Sequence, residues 1–110
     1  MDLASWNAQL RKGAVELAVL AALETDQRYG LEILERVNRL EELVSDGAIY
    51  PLLSRLEKEG KLTPRWALDE GPHPRKYYGL TTEGRRALSA MTRSWSAFRT
   101  AMDDIVEGDR

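Results

Sequence analysis

The chain has 110 residues, 43% hydrophobic and 31% charged, with a formal net charge of −2 and no cysteine. That is enough material for one folded domain of the soluble class. It excludes a disulfide framework and thiolate metal ligands, and no apolar run approaches the ~18 residues of a membrane-crossing helix. The N-terminus lacks a basic start followed by an apolar secretion core, so the cytoplasm is the expected compartment and no membrane partner is expected. The charge is polarised. Residues 71 to 86 carry Arg75, Lys76, Arg85 and Arg86 against Glu83, whereas Asp103, Asp104, Glu107 and Asp109 stand against Arg110 alone. The sign of the total therefore does not exclude a nucleic-acid partner, whose usual mark is a local basic footprint.

In chain order, Trp6, Leu10, Ala14, Leu17 and Ala21 recur at helical spacing and predict a first helix over about Ala4 to Glu24. After a break at Asp26 to Gly30, Ile33, Leu34, Val37 and Leu40 define one face of a second helix, about Tyr29 to Leu40. Ser45 or Asp46 can cap a third helix over Gly47 to Glu59, and Asp46, which would repel phosphate, reads as the cap. Ile49, Leu52, Leu53 and Leu56 form the buried stripe of this helix, and Gly60 suits a left-handed C-terminal residue. Pro51 lies just past the first turn, where it removes at most one backbone hydrogen bond. Leu62 to Leu68 and Arg75 to Leu80 read as two strands around a turn at Asp69 to Pro74. From Thr82 to about Val106, Leu88, Met91, Trp95, Phe98, Met102 and Ile105 are spaced by alternating threes and fours, the seam of a coiled coil. A helix of about 25 residues is about 37 Å long, more than so small a domain can cover, so a second subunit is expected on the seam.

The expected fold is mainly α with a small two-stranded β wing: a winged helix-turn-helix with N- and C-terminal dimerisation helices. Residues 1–80 would form the DNA-binding domain and 81–110 the dimerisation helix. In such a fold the third helix enters the major groove and the hairpin reaches over the adjacent backbone. With the stripe turned inward, Gly47, Ala48, Tyr50, Pro51, Ser54 and Arg55 are left outward: small residues permit close approach, and Tyr50, Ser54 and Arg55 can donate to phosphates. Arg75 and Lys76 are the wing's candidates, against the alternative that they are ordinary strand-edge charges. One of Tyr77 and Tyr78 must face in and the other out; Tyr78 is the one assigned to DNA. His73 stands between two prolines with no companion ligand, so no metal or cofactor is expected. With no nucleophile for that histidine to serve and no phosphate-cradling glycine loop, no enzyme is expected either.

Three stretches resemble the PadR family of bacterial transcriptional regulators: Tyr29-Gly30-Leu31-Glu32-Ile33, then Gly47-Ala48-Ile49-Tyr50-Pro51-Leu52-Leu53-Ser54-Arg55-Leu56-Glu57-Lys58-Glu59-Gly60, then Arg75-Lys76-Tyr77-Tyr78-Gly79-Leu80-Thr81-Thr82-Glu83-Gly84. The resemblance covers nearly the whole chain. It implies a homodimer with exchanged contacts of the C-terminal helix, operator DNA as partner, and the small subfamily with a single such helix. Some small members respond to flat aromatic drugs held between the two C-terminal helices, and Ser94-Trp95-Ser96 is similar to the segment carrying their stacking tryptophan. Trp95 is thus either interface core or one wall of an aromatic slot, with Trp6, Phe98 and Met102 as neighbours. Two departures stand out: Arg11 lies where the drug binders are apolar, and the wing tip Glu70-Gly71-Pro72-His73-Pro74 is richer in proline. The expected function is a homodimeric, sequence-specific repressor answering to a small effector. The alternative is a winged-helix protein–protein interaction module that does not touch DNA.

Overall fold

The computed structural model describes residues 1–68 and 71–108. Asp69 and Glu70 of the expected turn, and Asp109 and Arg110 of the tail, lie outside the described residues. Helix α1 (Leu3–Ala22) is capped by Asp2, whose carboxylate accepts from the Ser5 amide at 3.1 Å. Only its C-terminal part reaches the domain body, where Val19, Leu20, Ala22 and the following Leu23 are buried. The predicted stripe is therefore not the core face of α1. Ala14 and Leu17 are half-buried and Ala21 is exposed, while Trp6 and Leu10 are each more than half exposed.

A two-residue strand β1 (Arg28–Tyr29) leads into α2 (Gly30–Val37). The Tyr29 amide donates to Glu32 Oε1 at 3.1 Å, which closes the first turn. Helix α2 ends three residues before the predicted Leu40, because Asn38 takes over the backbone. Its Nδ2 donates to the Val44 carbonyl at 2.8 Å and its Oδ1 accepts from the Leu43 and Val44 amides at 2.9 and 3.2 Å. The chain turns there and leaves Leu40 outside, 92% exposed.

Helix α3 (Asp46–Lys58) starts from an extended Ser45; Asp46, expected as the cap, is instead the first helical residue, where a carboxylate still complements the helix dipole. Ile49, Leu53 and Leu56 are fully buried, and Leu52 packs half-buried against them. The helix stops as its glycine requires. Gly60 takes φ +81°, its amide bonds the Glu57 carbonyl at 3.0 Å, and the Lys61 amide bonds the Leu56 carbonyl at 2.9 Å, the paired closure of a Schellman turn.

Strands β2 (Leu62–Ala67) and β3 (Arg75–Leu80) pair antiparallel from Leu62 opposite Leu80 to Ala67 opposite Arg75. The hairpin is as predicted, but the sheet has three strands in the order β1-β3-β2, with Tyr29 opposite Tyr77. Alternation gives β3 two faces. Lys76, Tyr78 and Leu80 look toward α3 and the core; Arg75 and Tyr77 share the opposite face with Tyr29 and Arg65. Tyr78 is thus core, at 5% exposure, and is not the outward-facing tyrosine that the sequence reading supposed.

Helix α4 (Thr82–Glu107) is seated on the end of α3. The Thr81 amide donates to the Lys61 carbonyl at 3.1 Å, its hydroxyl donates to the Gly60 carbonyl at 2.6 Å, and that hydroxyl accepts from the Gly84 amide at 2.9 Å. A Cβ at Gly84 would collide with the Lys61 carbonyl oxygen, so glycine is what allows this seating. Along α4, Leu88 is buried and Met91 half-buried, after which Trp95, Phe98, Met102 and Ile105 are 40 to 65% exposed. The molecule is elongated accordingly, 60 × 32 × 22 Å.

Candidate nucleic-acid interface

The exposed residues of α3 divide between two directions. At about 100° per residue, Gly47, Tyr50, Pro51 and Ser54 share the face turned away from the core, and all four are exposed. Tyr50 is positioned by a missing side chain: its ring lies over Gly30, in the space a Cβ there would occupy. Ala48 and Arg55 turn instead toward α1. Ala48 borders an open cleft of about 280 Å³ whose other walls include Ala8, Arg11, Lys12 and Val15 of α1.

Arg55 belongs to an ion-pair cluster that joins α1 to the end of α3. Its guanidinium contacts Glu16 at 3.1 Å and Glu59 at 2.8 Å, while Lys61 Nζ contacts the same two carboxylates at 2.7 and 3.1 Å. Partial burial alone would raise the Glu16 pKa, but the hydrogen bonds from Lys61 and Arg55 outweigh it and hold the carboxyl below its ordinary value. The same pairings push Arg55 and Lys61 upward. A carboxylate with a depressed folded-state pKa stabilises the fold above its unfolded pKa, near 4.3, and the contribution is lost as pH falls through the lower folded value. Glu16→Gln should therefore flatten the acid limb of the stability profile. Urea midpoints taken between about pH 6 and 3 should converge for the two proteins at the acid end, and parallel profiles would deny Glu16 this role.

On the wing, Lys76 is paired to Glu57 at 3.0 Å and drawn upward in pKa by that contact. Its Nζ also lies 5.6 Å from the ring centre of Trp66. The Arg75 guanidinium stacks on Tyr29 at 4.7 Å. Of the predicted wing residues, then, Arg75 and Lys76 flank the sheet on opposite faces and Tyr78 is withdrawn into the core. Three residues with a place in or beside this surface went unpredicted. Glu16 is 39 positions from Arg55 in sequence, Arg65 sits mid-strand, and Trp66 is 62% exposed on the wing. Strand alternation was the only signal for the last two.

The ring centres of Trp95 and Phe98 stand 6.2 Å apart, so α4 brings these two together. Trp6, exposed on α1, makes no ring contact with either among the described residues. Two clefts among the described residues lie elsewhere: the α1–α3 cleft, and one of about 290 Å³ beside Arg36 and Leu43.

Three helices, a short strand before the second of them, a two-stranded wing behind the third, and an open face on that third helix define a winged helix-turn-helix of the transcription-regulator class. Residues 19–90 match the transcriptional regulator PadR-like family, and the chain belongs to that family. It is a family of transcriptional regulators, not of enzymes. The transcriptional regulator Rv3488 of Mycobacterium tuberculosis is 31% identical over 81 residues, which cover 74% of this chain and 75% of that protein. Among solved structures, a PadR-like transcriptional regulator from Bacillus cereus superposes with a TM-score of 0.82 at 33% identity, over 92% of this chain and 99% of that one. A PadR family regulator from Eggerthella lenta superposes with a TM-score of 0.80 at 29% identity, over 97% and 94%. No helix of the described residues is long and apolar enough to cross a membrane.

Proposed function

We propose that the protein is a homodimeric, sequence-specific DNA-binding repressor. Residues 1–80 bind operator DNA and residues 81–110 form the dimerisation helix. The observation that carries the reading is the open face of α3: Gly47, Tyr50, Pro51 and Ser54 are exposed while Ile49, Leu53 and Leu56 of the same helix are fully buried. Two such helices, related by a two-fold axis, would meet half-sites about one helical turn apart. Support for the dimer comes from the exposed seam of α4 and from Trp6 and Leu10 on α1, large apolar side chains that the described residues leave exposed.

Release would follow from a flat aromatic effector beside the Trp95–Phe98 pair. Such a ligand lowers operator affinity only to the extent that it prefers a dimer geometry unsuited to the two half-sites. The test is fluorescence anisotropy with the chain's own upstream intergenic DNA in a salt series. Tight binding that resists competitor DNA and weakens steeply with salt is expected. Tyr50→Ala should weaken operator binding at least about tenfold, the loss of one good polar contact, with dimer mass and helix content unchanged. Weak binding that is equal for any sequence would leave the protein-interaction reading instead.

A further inference from the structure

Several cations around the reading helix are neutralised at home. Arg55 and Lys61 share Glu16 and Glu59, Lys76 has Glu57, and Arg28 has Asp26. Arg65 differs. It is exposed in the middle of β2 and pairs with no carboxylate among the described residues. It is nevertheless held on two sides: its Nε donates to Gln27 Oε1 at 2.6 Å, and its Cζ lies 4.8 Å over the Tyr77 ring. Both partners are neutral. The guanidinium therefore has a fixed orientation and no carboxylate partner among the described residues, and its Nε anchor leaves the two terminal nitrogens for an anion.

The anchor is itself built into the sheet. Gln27 lies across Gly79, where a Cβ would stand only 3.1 Å from its Cγ. Tyr77 meets Tyr29 edge-on at 5.5 Å. Tyr29 is the N-cap of α2 and adjoins Gly30, on which Tyr50 of the reading helix rests. A continuous path thus runs from the open face of α3, past the start of α2, to Arg65.

We infer that Arg65 is a phosphate contact for DNA flanking the groove that α3 enters, with Gln27 as its positioning residue. The inference rests on the DNA-binding reading above. A planar, pre-oriented guanidinium suits two parallel hydrogen bonds to one phosphate, and such contacts fix register on the duplex without reading bases.

The test compares the unmodified protein with Arg65→Gln and Gln27→Ala, by anisotropy, on the upstream duplex and on a scrambled duplex of equal length, from about 50 to 300 mM salt. Arg65→Gln should weaken binding to both duplexes about tenfold and reduce the log–log salt slope by about one, the signature of one lost phosphate contact. Gln27→Ala should weaken binding about threefold and leave the slope unchanged, because the charge remains and only its orientation is freed. The circular dichroism of both variants should match the parent, since both side chains are exposed. An unaltered affinity and slope in Arg65→Gln overturns the contact while leaving the DNA-binding reading intact. A loss confined to the upstream duplex overturns the phosphate assignment in favour of base reading. Failure of the unmodified protein to bind either duplex overturns both readings together.

Discussion

If the parent forms the proposed dimer, Phe98→Asp is expected to yield a folded chain that sediments as a monomer at the same concentrations. Phe98 is 55% exposed in the single chain, so its replacement removes nothing from the core around Leu20, Ile33, Leu53 and Leu56. It lies in the row formed by Trp95, Met102 and Ile105, which the rest of the chain leaves uncovered. Each large side chain of that row gains ~1.5–3 kcal/mol on full burial, and a two-fold interface counts every contact twice. A carboxylate in the middle of such a seam forfeits the aromatic contribution and adds a desolvation cost on both sides of the axis. The dimer dissociation constant should rise at least about 100-fold, equivalent to ~2.7 kcal/mol. Operator affinity should fall with it, since a monomer engages a single half-site. Sedimentation velocity and anisotropy on one preparation report both effects. A variant still dimeric at low micromolar concentration would show that the seam is not the interface.

Leu53→Ala should act on the fold itself. Leu53 is completely buried within the cluster of Ile49, Leu56, Ile33, Tyr78 and Leu88, which joins α3 to α2, the sheet and the base of α4. Removing its terminal carbons leaves a void that a close-packed interior fills only in part, at a cost of ~2–5 kcal/mol. Against a total stability of ~5–15 kcal/mol for a domain of this kind, that is a large share. Urea unfolding should show a clear fall in midpoint, compared at equal protein concentration because the proposed dimer would add to apparent stability. A loss below about 1 kcal/mol would mean that the α3 stripe is not where the core is concentrated.

The parts of this fold that were legible in the sequence are those governed by local rules. The stripe of α3 and its glycine stop, the hairpin strands and the long seam of α4 each follow from spacing or from a residue with special backbone freedom. What escaped depends on side-chain contacts and packing that spacing does not encode. Leu40 continued the period of α2, but Asn38 captured the backbone of Leu43 and Val44 and ended the helix first. The parity of Tyr77 and Tyr78 required knowing which sheet face α3 covers. Strand β1 is two residues long, too short for alternation to register. Ala48 and Arg55 stood among the outward residues until α1 took that side of the helix, and Glu16 gave no local sign that it would meet Arg55 and Lys61.

The seating of α4 on the turn that closes α3 has a mechanical consequence. Thr81 and Gly84 lock the root of a long rigid rod to the backbone of Gly60 and Lys61, leaving no slack loop between them. A tilt of about 5° at that root sweeps the far end of a rod of about 39 Å sideways by about 3 Å. In a dimer joined along such rods, a small change in their crossing angle becomes a change in the separation of the two reading helices. DNA, whose groove repeat is fixed, then serves as the gauge against which that angle is measured.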